Sequence, residues 1–380
     1  MSGPVRRSPE GSQIAAPEVR DLLVNPGSVC VCILNWNGWR DTIECLESVL
    51  RSDFPAFQVV VIDNGSTDGS LDRIKEWAAG ARAFETPPDH PLAGFSTPPV
   101  SKPVQWAAYP LGAAPPRRST SIPGAPLVLI DAGGNHGFAA GMNVGLRYAL
   151  SAGRFGHVWL LNNDTVVSPD SLSHLLAKFA SQPRLGLCGA TLLYYDEPER
   201  VQALGGFRHN MWAGTSSHIG QDLPYDATAI DEAAVEARMH GVQGASMLVS
   251  ASFLLEVGLL TEDYFLYFEE HDWAARAKRA GFCFGYAAGS RVYHKEGRST
   301  GGTRLMPQQR SITADFYQLQ SRILFTRRFY PYALPSVYAG LVIAALNRLR
   351  RGQYERLPMI AGIVFRSLFG RPRRAAERSG

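Results

Sequence analysis

The sequence predicts an α/β protein whose central sheet is mostly parallel and flanked by helices. Two strands, 28–34 and 57–62, are separated by a segment with helical spacing, 39–51. Both faces of each strand are apolar or small, which is typical of strands covered by helices on both sides. The order strand, helix, strand favours a parallel pair joined by a right-handed crossover. With 45% hydrophobic and 19% charged residues in 380, the composition excludes wholesale disorder and coiled-coil repeats.

The rest of the chain continues this alternation. We expect a loop-rich polar stretch between the strands at 185–193 and 245–249. Ser168 is the predicted cap of one helix, with Pro169 in its first turn. Further strands are predicted at 127–130, 157–161, 283–286 and 292–294, and further helices at 70–77, 140–151, 253–257, 269–280 and beyond 315.

Composition divides the chain into three parts. Residues 1–25 are polar, have no apolar segment typical of a signal peptide, and are predicted to be disordered. One α/β domain is expected over 26–305, followed by a basic helical extension over 306–380. Within the domain, 86–126 contains eleven of the 25 prolines, which predicts an irregular surface insertion, or alternatively a lid or partner-binding arm.

The charge is unevenly distributed. The chain has a net charge of +4, yet 322–380 contains twelve arginines, no lysine and two acids, which leaves the remainder acidic. An acidic body excludes a typical nucleic-acid binder and suits a C-terminus that contacts an anionic membrane surface, with a soluble dimer interface as the alternative. The apolar run 332–346 is shorter than the ~20 residues of a spanning helix. Five cysteines without metal-site spacing indicate a reducing, cytoplasmic compartment and free, buried thiols.

Polar side chains follow three of the predicted strands. In an open parallel sheet, ligands bind at the carboxyl ends of the strands, so several such clusters indicate a binding site. A single cluster would be no more than a turn. The residues are Asn35 and Asn37 after the first strand, Asp63 and Asn64 after the second, and Asn162, Asn163 and Asp164 after a later one.

A glycine-rich segment, 135–145, precedes a helix and includes Asn135, Gly137, Phe138 and Asn143. Backbone N–H groups at such a helix start can approach a diphosphate or a nucleoside closely. The segment lacks the full dinucleotide-binding pattern, and a Walker A sequence is absent from the chain, so ATPase chemistry is not expected.

Two further groups of residues can carry chemistry. Asp164 offers an oxygen ligand to Mg²⁺ or Mn²⁺, although one carboxylate binds a metal tightly only together with a diphosphate; the alternative is a capping turn. Glu269, Glu270 and Asp272 crowd behind an aromatic run, an arrangement suited to a general base, or alternatively to helix-dipole stabilisation. His294 ends a strand and could add an imidazole ligand.

Together these segments resemble the inverting family-2 glycosyltransferases of the GT-A fold, most closely the rhamnosyltransferase-like branch. The resemblance extends over 29–300, and its parts occur in the family's order. They are ILNWNGWRDTIECLESVL, VVVIDNGSTDGS, NHGFAAGMNVGL, LLNNDTVVSPDSL, GASMLVS, YFLYFEEHDWAARAKRAGF and VYHKEGRST.

The resemblance implies roles for the candidate residues. Asn35, Asp63 and the loop 135–143 would contact the nucleoside, while Asp164, in the family's DXD position, and His294 would bind a divalent metal. This chain has Asn162 where the family often has aspartate, which removes one anionic ligand. Glu270 would be the base, with Glu269 and Asp272 as alternatives, since the family usually has aspartate at 270.

The implied reaction is transfer of a sugar, in the first instance L-rhamnose from dTDP-L-rhamnose, to a saccharide or polyprenyl-diphosphate-linked acceptor in cell-envelope polysaccharide synthesis. A UDP-hexose or UDP-galactofuranose donor is the alternative within this chemistry. A sugar nucleotidyltransferase and an inactive scaffold are the alternatives of other classes. The implied location is the cytoplasm, peripheral at the inner face of the membrane, and oligomerisation is left open.

Overall fold

The computed structural model describes residues 25–84, 86–110, 125–296 and 311–369. The strands are β1 (Asn25–Asn35), β2 (Phe57–Asp63), β3 (Trp106–Pro110), β4 (Leu127–Asp131), β5 (Phe155–Asn162), β6 (Thr165–Val167), β7 (Leu185–Tyr194), β8 (Val201–Leu204), β9 (Gly206–Asn210), β10 (Thr215–His218), β11 (Gly241–Val242), β12 (Ser246–Ser250) and β13 (Cys283–His294). The helices are α1 (Trp39–Val49), α2 (Ser70–Ala79), α3 (Ala93–Ser96), α4 (Gly137–Ala152), α5 (Ser171–Ser181), α6 (Glu232–Glu236), α7 (Ala251–Val257), α8 (Glu269–Arg279), α9 (Ile312–Phe329), α10 (Leu334–Arg350) and α11 (Leu357–Phe369).

A ten-stranded sheet runs through the described part of the chain in the order β3-β4-β2-β1-β5-β12-β7-β13-β6, with β8 paired to β7. Strands β3, β4, β2, β1 and β5 pair in parallel, as do β7 and β13, whereas β12, β6 and β8 pair antiparallel to their neighbours. The predicted α/β class with a mostly parallel central sheet is therefore confirmed.

Successive side chains of β1 pack into different cores on the two faces of the sheet. Cys30 and Cys32 belong to the core that includes Met142 of α4, while Val31 and Ile33 belong to the opposite core with residues of α1. Successive side chains of a strand point to opposite faces, so a strand without polar positions needs a helical layer on each side. The carboxyl ends of β1, β2 and β5 thus open between these layers.

The proline-rich insertion is more ordered than expected. The prediction of irregular structure over 86–126 is wrong at 106–110, where β3 extends the sheet beside β4. Buried hydroxyl groups of Thr86 and Ser96 lie 2.6 Å apart, and the Val100 backbone N–H donates to Glu47 (2.7 Å). These hydrogen bonds help to order the insertion, which has few apolar residues to bury. Residues 85 and 111–124 of the insertion lie outside the described residues.

Other predicted elements need correction. The stretch between β7 and β12 contains a three-stranded antiparallel sheet, β10-β9-β11, where we expected loops. Helix α5 begins two residues later than predicted, because the Ser168 hydroxyl donates to Asp170 (2.6 Å) instead of capping the helix. The two last strands form one bulged strand, β13. Four cysteines are buried free thiols, as predicted, but Cys283 is exposed.

The predicted helical extension is present as α9, α10 and α11. Asp315 of α9 binds Arg348 (2.7 Å) and Arg356 (3.0 Å), and Arg328 ties α9 to Asp272 of α8 (2.9 Å). Within the described ranges, the segment Pro331–Arg350 is long and apolar enough to cross a membrane by length and composition, which corrects the expectation from 332–346. The predicted disordered N-terminus, except Asn25, and residues 297–310 and 370–380 lie outside the described residues.

Candidate active site

The ends of β1 and β2 are joined by a buried polar network. Asn35 and Asp63 are partners in the strand register, and Asn35 Nδ2 donates to Asp63 Oδ1 (2.7 Å). The Ser66 hydroxyl donates to the same oxygen (2.6 Å), and the Thr42 hydroxyl donates to Asn35 Oδ1 (2.8 Å). Through these hydrogen bonds, the fully buried Asn35 holds the loop after β2 in position. Of the two residues, only Asp63 has any exposed surface toward the site.

Asn37 forms the exposed rim of the same loop. Its backbone is left-handed (φ 51°), its N–H donates to the Ser66 hydroxyl (2.9 Å), and its Oδ1 accepts from the Thr67 N–H (2.7 Å). Asparagine tolerates this conformation better than most residues. Asn37 and Thr67 are exposed, so this turn borders solvent at the predicted binding edge.

The glycine-rich segment is fastened to β2 by Asn64. Asn64 Nδ2 donates to Asn135 Oδ1 (3.2 Å) and to the Gly137 carbonyl (3.1 Å), and its Oδ1 accepts from the His136 N–H (3.2 Å). Gly137 has φ +81°, and a Cβ there would overlap the Phe265 carbonyl, which accepts from the Phe138 N–H (2.7 Å). Glycine is required here by conformation and by close approach.

Asn143 has a different position from the one its motif implied. It is buried within α4, where Nδ2 donates to the Leu260 carbonyl and to Glu262 (2.9 Å each) and Oδ1 accepts from the Leu260 N–H (3.0 Å). The amide nitrogen and the carbonyl oxygen of the Asn143 side chain both bind residues 260–262, and these hydrogen bonds fasten α4 to that segment. Asn143 thus supports the segment that precedes α8.

Asp164 and His294 are brought together, as the resemblance implied. His294 Nε2 lies 3.2 Å from Asp164 Oδ1 and 3.4 Å from Asn162 Nδ2, and His294 Nδ1 lies 2.9 Å from Gln202 Oε1. An amide oxygen accepts, so Gln202 fixes the proton on Nδ1 and directs Nε2 toward Asp164. The third predicted residue of this turn, Asn163, donates to the Thr42 hydroxyl (3.1 Å) and supports the turn after β1.

Without a metal, each member of this pair favours the charged form of the other, and a bound metal would take the place of the imidazole proton. Burial alone would raise the pKa of Asp164 and lower that of His294; their mutual attraction outweighs burial, so the pKa of Asp164 is lowered and that of His294 raised. A carboxylate oxygen and an imidazole nitrogen form a donor set that fits Mn²⁺ well. Within the described ranges, no group of three His, Cys, Asp or Glu could hold a metal ion. Asp164 and His294 are therefore the two candidate ligands that the protein offers here.

A buried ion cluster next to this pair was not predicted. The Lys295 backbone N–H donates to the Asp164 carbonyl (3.0 Å), while its ammonium group contacts Asp41 and Glu44 of α1 (2.5 Å each). The Tyr195 hydroxyl donates to Glu44 (2.7 Å). Burial opposes the charge of Lys295, but the two carboxylates outweigh it and raise its pKa. The cluster therefore fixes the end of β13 against α1.

Of the three acids at the start of α8, Glu270 is the one whose carboxyl group has a lowered pKa and is also partly exposed to solvent. Its Oε1 lies 3.3 Å from His271 Nδ1, and His271 Nε2 lies 2.6 Å from the Ser216 hydroxyl of β10. Burial would raise the pKa of Glu270, but attraction to His271 and a hydrogen bond with it outweigh burial and lower the pKa below the ordinary value. Glu270 is thus a carboxylate at neutral pH and can accept a proton.

The two alternative acids have other environments. Burial, and then the charge of Glu270, raises the pKa of Glu269 well above its ordinary value, and its Oε2 has no hydrogen-bond partner among the described residues. A raised pKa disfavours the ionised carboxylate, which is the form that accepts a proton. Asp272 is fully buried between Arg276 (2.6 Å), Arg328 (2.9 Å) and the Thr261 hydroxyl (2.7 Å), and therefore has a structural position.

His218 of β10 connects the two halves of the site. Its Nε2 lies 3.2 Å from Gln243 Nε2, and burial lowers its pKa. The charges of both Glu270 and His294 act on it, so the β9–β10 hairpin lies within electrostatic reach of the carboxylate and of the predicted metal pair. The sequence contained no clear signal for this position, because Thr215–His218 reads TSSH without apolar alternation and the region was expected to be loops.

Fold and site together define an α/β enzyme class: a mostly parallel sheet with a carboxylate–imidazole pair and a separate ionised glutamate beyond its strand ends. Two solved structures have a similar overall arrangement. Mannosyltransferase PcManGT from Pyrobaculum calidifontis, in complex with GDP-Man and Mn²⁺, is 13% identical with a TM-score of 0.47, covering 90% of this chain and 88% of that chain. S. aureus TarS 1–349 in complex with UDP-GlcNAc is 12% identical with a TM-score of 0.48, covering 91% and 82%.

Sequence comparison identifies the family. The profile described as Glycosyltransferase like family 2 matches 120–310, half of the chain, and that described as Glycosyl transferase family 2 matches 28–88. The chain therefore belongs to glycosyltransferase family 2. A low-salt glycan biosynthesis hexosyltransferase, Agl10 of Haloferax volcanii, is 27% identical over 171 residues, 41% of this chain. The chain spans about half the length of this curated relative, 48%.

Proposed function

We propose that this glycosyltransferase moves a hexose from a nucleotide-diphospho-sugar to a saccharide hydroxyl with inversion at the anomeric carbon. The observations that carry the proposal are the pairing of Asp164 with His294 (3.2 Å) and the partly accessible Glu270 carboxylate, which lies 3.3 Å from His271. Inversion by single displacement needs a base and a stabilised leaving group, and no covalent nucleophile. The donor we propose first is dTDP-L-rhamnose.

Asp164 and His294 would hold a divalent metal, Mg²⁺ or Mn²⁺, together with the donor diphosphate. The metal, when bound, supplies positive charge that stabilises the departing diphosphate. Two ligands from the protein leave the remaining coordination positions to phosphate oxygens and water. Asn162 lies beside this pair, where its neutral amide replaces a carboxylate.

The proton transfer is assigned to Glu270. Its carboxylate accepts the proton of the acceptor hydroxyl while that oxygen forms a bond to the anomeric carbon. The bond from this carbon to the diphosphate oxygen breaks, and the electron pair leaves with the nucleoside diphosphate. His271 lies beside the carboxylate and favours its ionised form before the reaction.

The nucleoside would lie against the turn at Asn37 and Thr67 and the loop that begins α4. Both are exposed at the same sheet edge, and the network of Asn35, Asp63 and Asn64 fixes their backbones. Rigid loops reduce the ordering cost of binding. The neighbouring solved structures contain GDP-Man and UDP-GlcNAc, so a different nucleotide is a real alternative to the dTDP-sugar.

We propose a saccharide or polyprenyl-diphosphate-linked acceptor in cell-envelope polysaccharide synthesis, and a cytoplasmic location at the inner membrane face. Arginines of the C-terminal extension and the free cysteines support this location. A lipid-linked acceptor would require the site to be held near the bilayer.

A thermal-shift panel of dTDP-, UDP- and GDP-sugars with Mn²⁺ tests the donor. A ligand at 100 times its Kd stabilises the native state by about 2.7 kcal/mol, so the true donor will raise Tm by several degrees. The shift must disappear with EDTA and in Asp164→Asn. If no nucleotide sugar shifts Tm while a nucleoside triphosphate does, the chain is a nucleotidyltransferase and the proposal fails.

A further inference from the structure

Helix α10 exposes an apolar stripe to solvent. Val342 and Ile343 are each 60% exposed, and Leu346 and Leu349 are 49% and 46% exposed. At 3.6 residues per turn these positions lie on one side of the helix, opposite Val337 and Leu341, which are buried. A continuous exposed apolar face of this kind marks an interaction surface.

Aromatic side chains extend the stripe at its beginning. Trp212, at the tip of the β9–β10 hairpin, is 57% exposed and lies 5.6 Å from the ring of Tyr332 between ring centroids. The Ser336 hydroxyl donates to the Trp212 carbonyl (2.7 Å), so the hairpin tip is fastened to α10. Exposed tryptophan and tyrosine beside an apolar surface are typical of side chains at a membrane–water interface.

Charge identifies the partner. Arg350 and Arg351 are exposed at the other end of the stripe, and Arg366 is exposed on α11. Phosphate groups of anionic lipids would pair with them while the apolar side chains enter the acyl boundary. We infer that Trp212, Tyr332 and the α10 stripe form a docking surface for an anionic lipid bilayer.

Contacts behind α10 favour a helix that lies on the bilayer over one that crosses it. Leu341 packs in one cluster with residues of α9 and α11, and Arg348 is ion-paired with Asp315 of α9 (2.7 Å). Helix α9 is in turn tied to the body through Arg328 and Asp272. Spanning would expose these buried ion pairs to lipid, at high cost. The surface is therefore interfacial.

The consequence for catalysis rests on the proposed function. The hairpin that contributes Trp212 also contributes Ser216, whose hydroxyl lies 2.6 Å from His271, the neighbour of Glu270. A bilayer held at this surface would bring lipid-linked acceptors to the side of the molecule where this hairpin contacts the proposed base.

The test is co-flotation of the full chain with vesicles. Vesicles of phosphatidylcholine with 30% phosphatidylglycerol should carry the protein, and pure phosphatidylcholine should carry at least tenfold less, because each surface arginine contributes about fivefold. Ile343→Ser with Leu346→Ser should reduce binding at least tenfold, since two exposed apolar side chains each contribute more than one CH₂. Leu223→Ser, at a residue 56% exposed outside the extension, is the matched control and should float as the wild type does.

Three results would overturn the inference: no flotation of the wild type, equal loss in Leu223→Ser, or resistance to alkaline carbonate, which would indicate a spanning helix. A dimer in solution that dissociates in the Ile343/Leu346 variant, without lipid binding, would identify a second copy as the partner instead. Donor-induced thermal shifts of the same variants keep the test separate from the proposed function: they should stay unchanged, and their absence in the wild type would count against the donor proposal alone.

Discussion

Replacement of Glu270 by glutamine tests the central step of the proposed reaction. The side chain keeps its size and its place beside His271, 3.3 Å away, so donor binding should be retained. Since the pKa of Glu270 lies below its ordinary value, the wild type is fully ionised at pH 7 and the whole loss should be visible there. A general base contributes 10²–10⁴ in rate, so kcat should fall by at least ~100-fold, about 2.7 kcal/mol in activation free energy.

The assay is the initial rate of sugar transfer at saturating donor, with donor affinity measured separately by thermal shift. Two neighbouring acids are matched controls. Glu269→Gln removes a carboxyl whose pKa is raised by burial, and it should change kcat less than threefold. Asp272→Asn weakens contacts with Arg276 and Arg328, so it should lower Tm while folded protein keeps its transfer rate. Near-normal transfer by Glu270→Gln together with an inactive, folded Asp272→Asn would refute the assignment of the base.

Three further predictions follow from single contacts. EDTA should abolish transfer and Mn²⁺ or Mg²⁺ restore it, with Asp164→Asn needing higher metal concentrations; full activity of the wild type in EDTA would exclude a metal role for Asp164. Folding raises the pKa of Glu269 above the value of 4.5 expected when unfolded, so the folded state binds the proton more tightly and stability falls as pH rises above about 4.5. Glu269→Gln cannot ionise; its Tm should equal that of the wild type near pH 4 and exceed it as the pH rises above about 4.5, and a difference independent of pH would contradict this. Gly137→Ala should cost at least ~1 kcal/mol, measured by urea unfolding, because φ is +81° and the Cβ would overlap the Phe265 carbonyl.

Sequence alone identified those parts of the site that depend on a strand and the loop directly after it. Asn35, Asp63 and Asp164 could be placed because the carboxyl ends of parallel strands share one edge. The supporting position of Asn143 could not be predicted, because its partners at 260–262 are more than a hundred residues away in the sequence. The same holds for Lys295, whose carboxylate partners lie on α1.

The choice among the three acids of α8 also depended on distant partners. The sequence showed only that Glu269, Glu270 and Asp272 are crowded. Arg328, from the C-terminal extension, is ion-paired with Asp272, while burial raises the pKa of Glu269. The small sheet β10-β9-β11 was missed because its strands are two to five residues long and β10 has no apolar alternation.

The structure also changes what the basic C-terminus can do. The excess of ten positive charges over 322–380 overstates the charge that faces solvent, because Arg328, Arg348 and Arg356 are ion-paired with aspartates that precede or begin the extension. Exposed arginines such as Arg350 and Arg351 remain for lipid phosphates. Apolar contact should therefore dominate membrane binding. At 0.5 M NaCl, where screening acts within about 4–5 Å, flotation should weaken but persist; complete release by salt would mean that charge alone holds the protein at the bilayer.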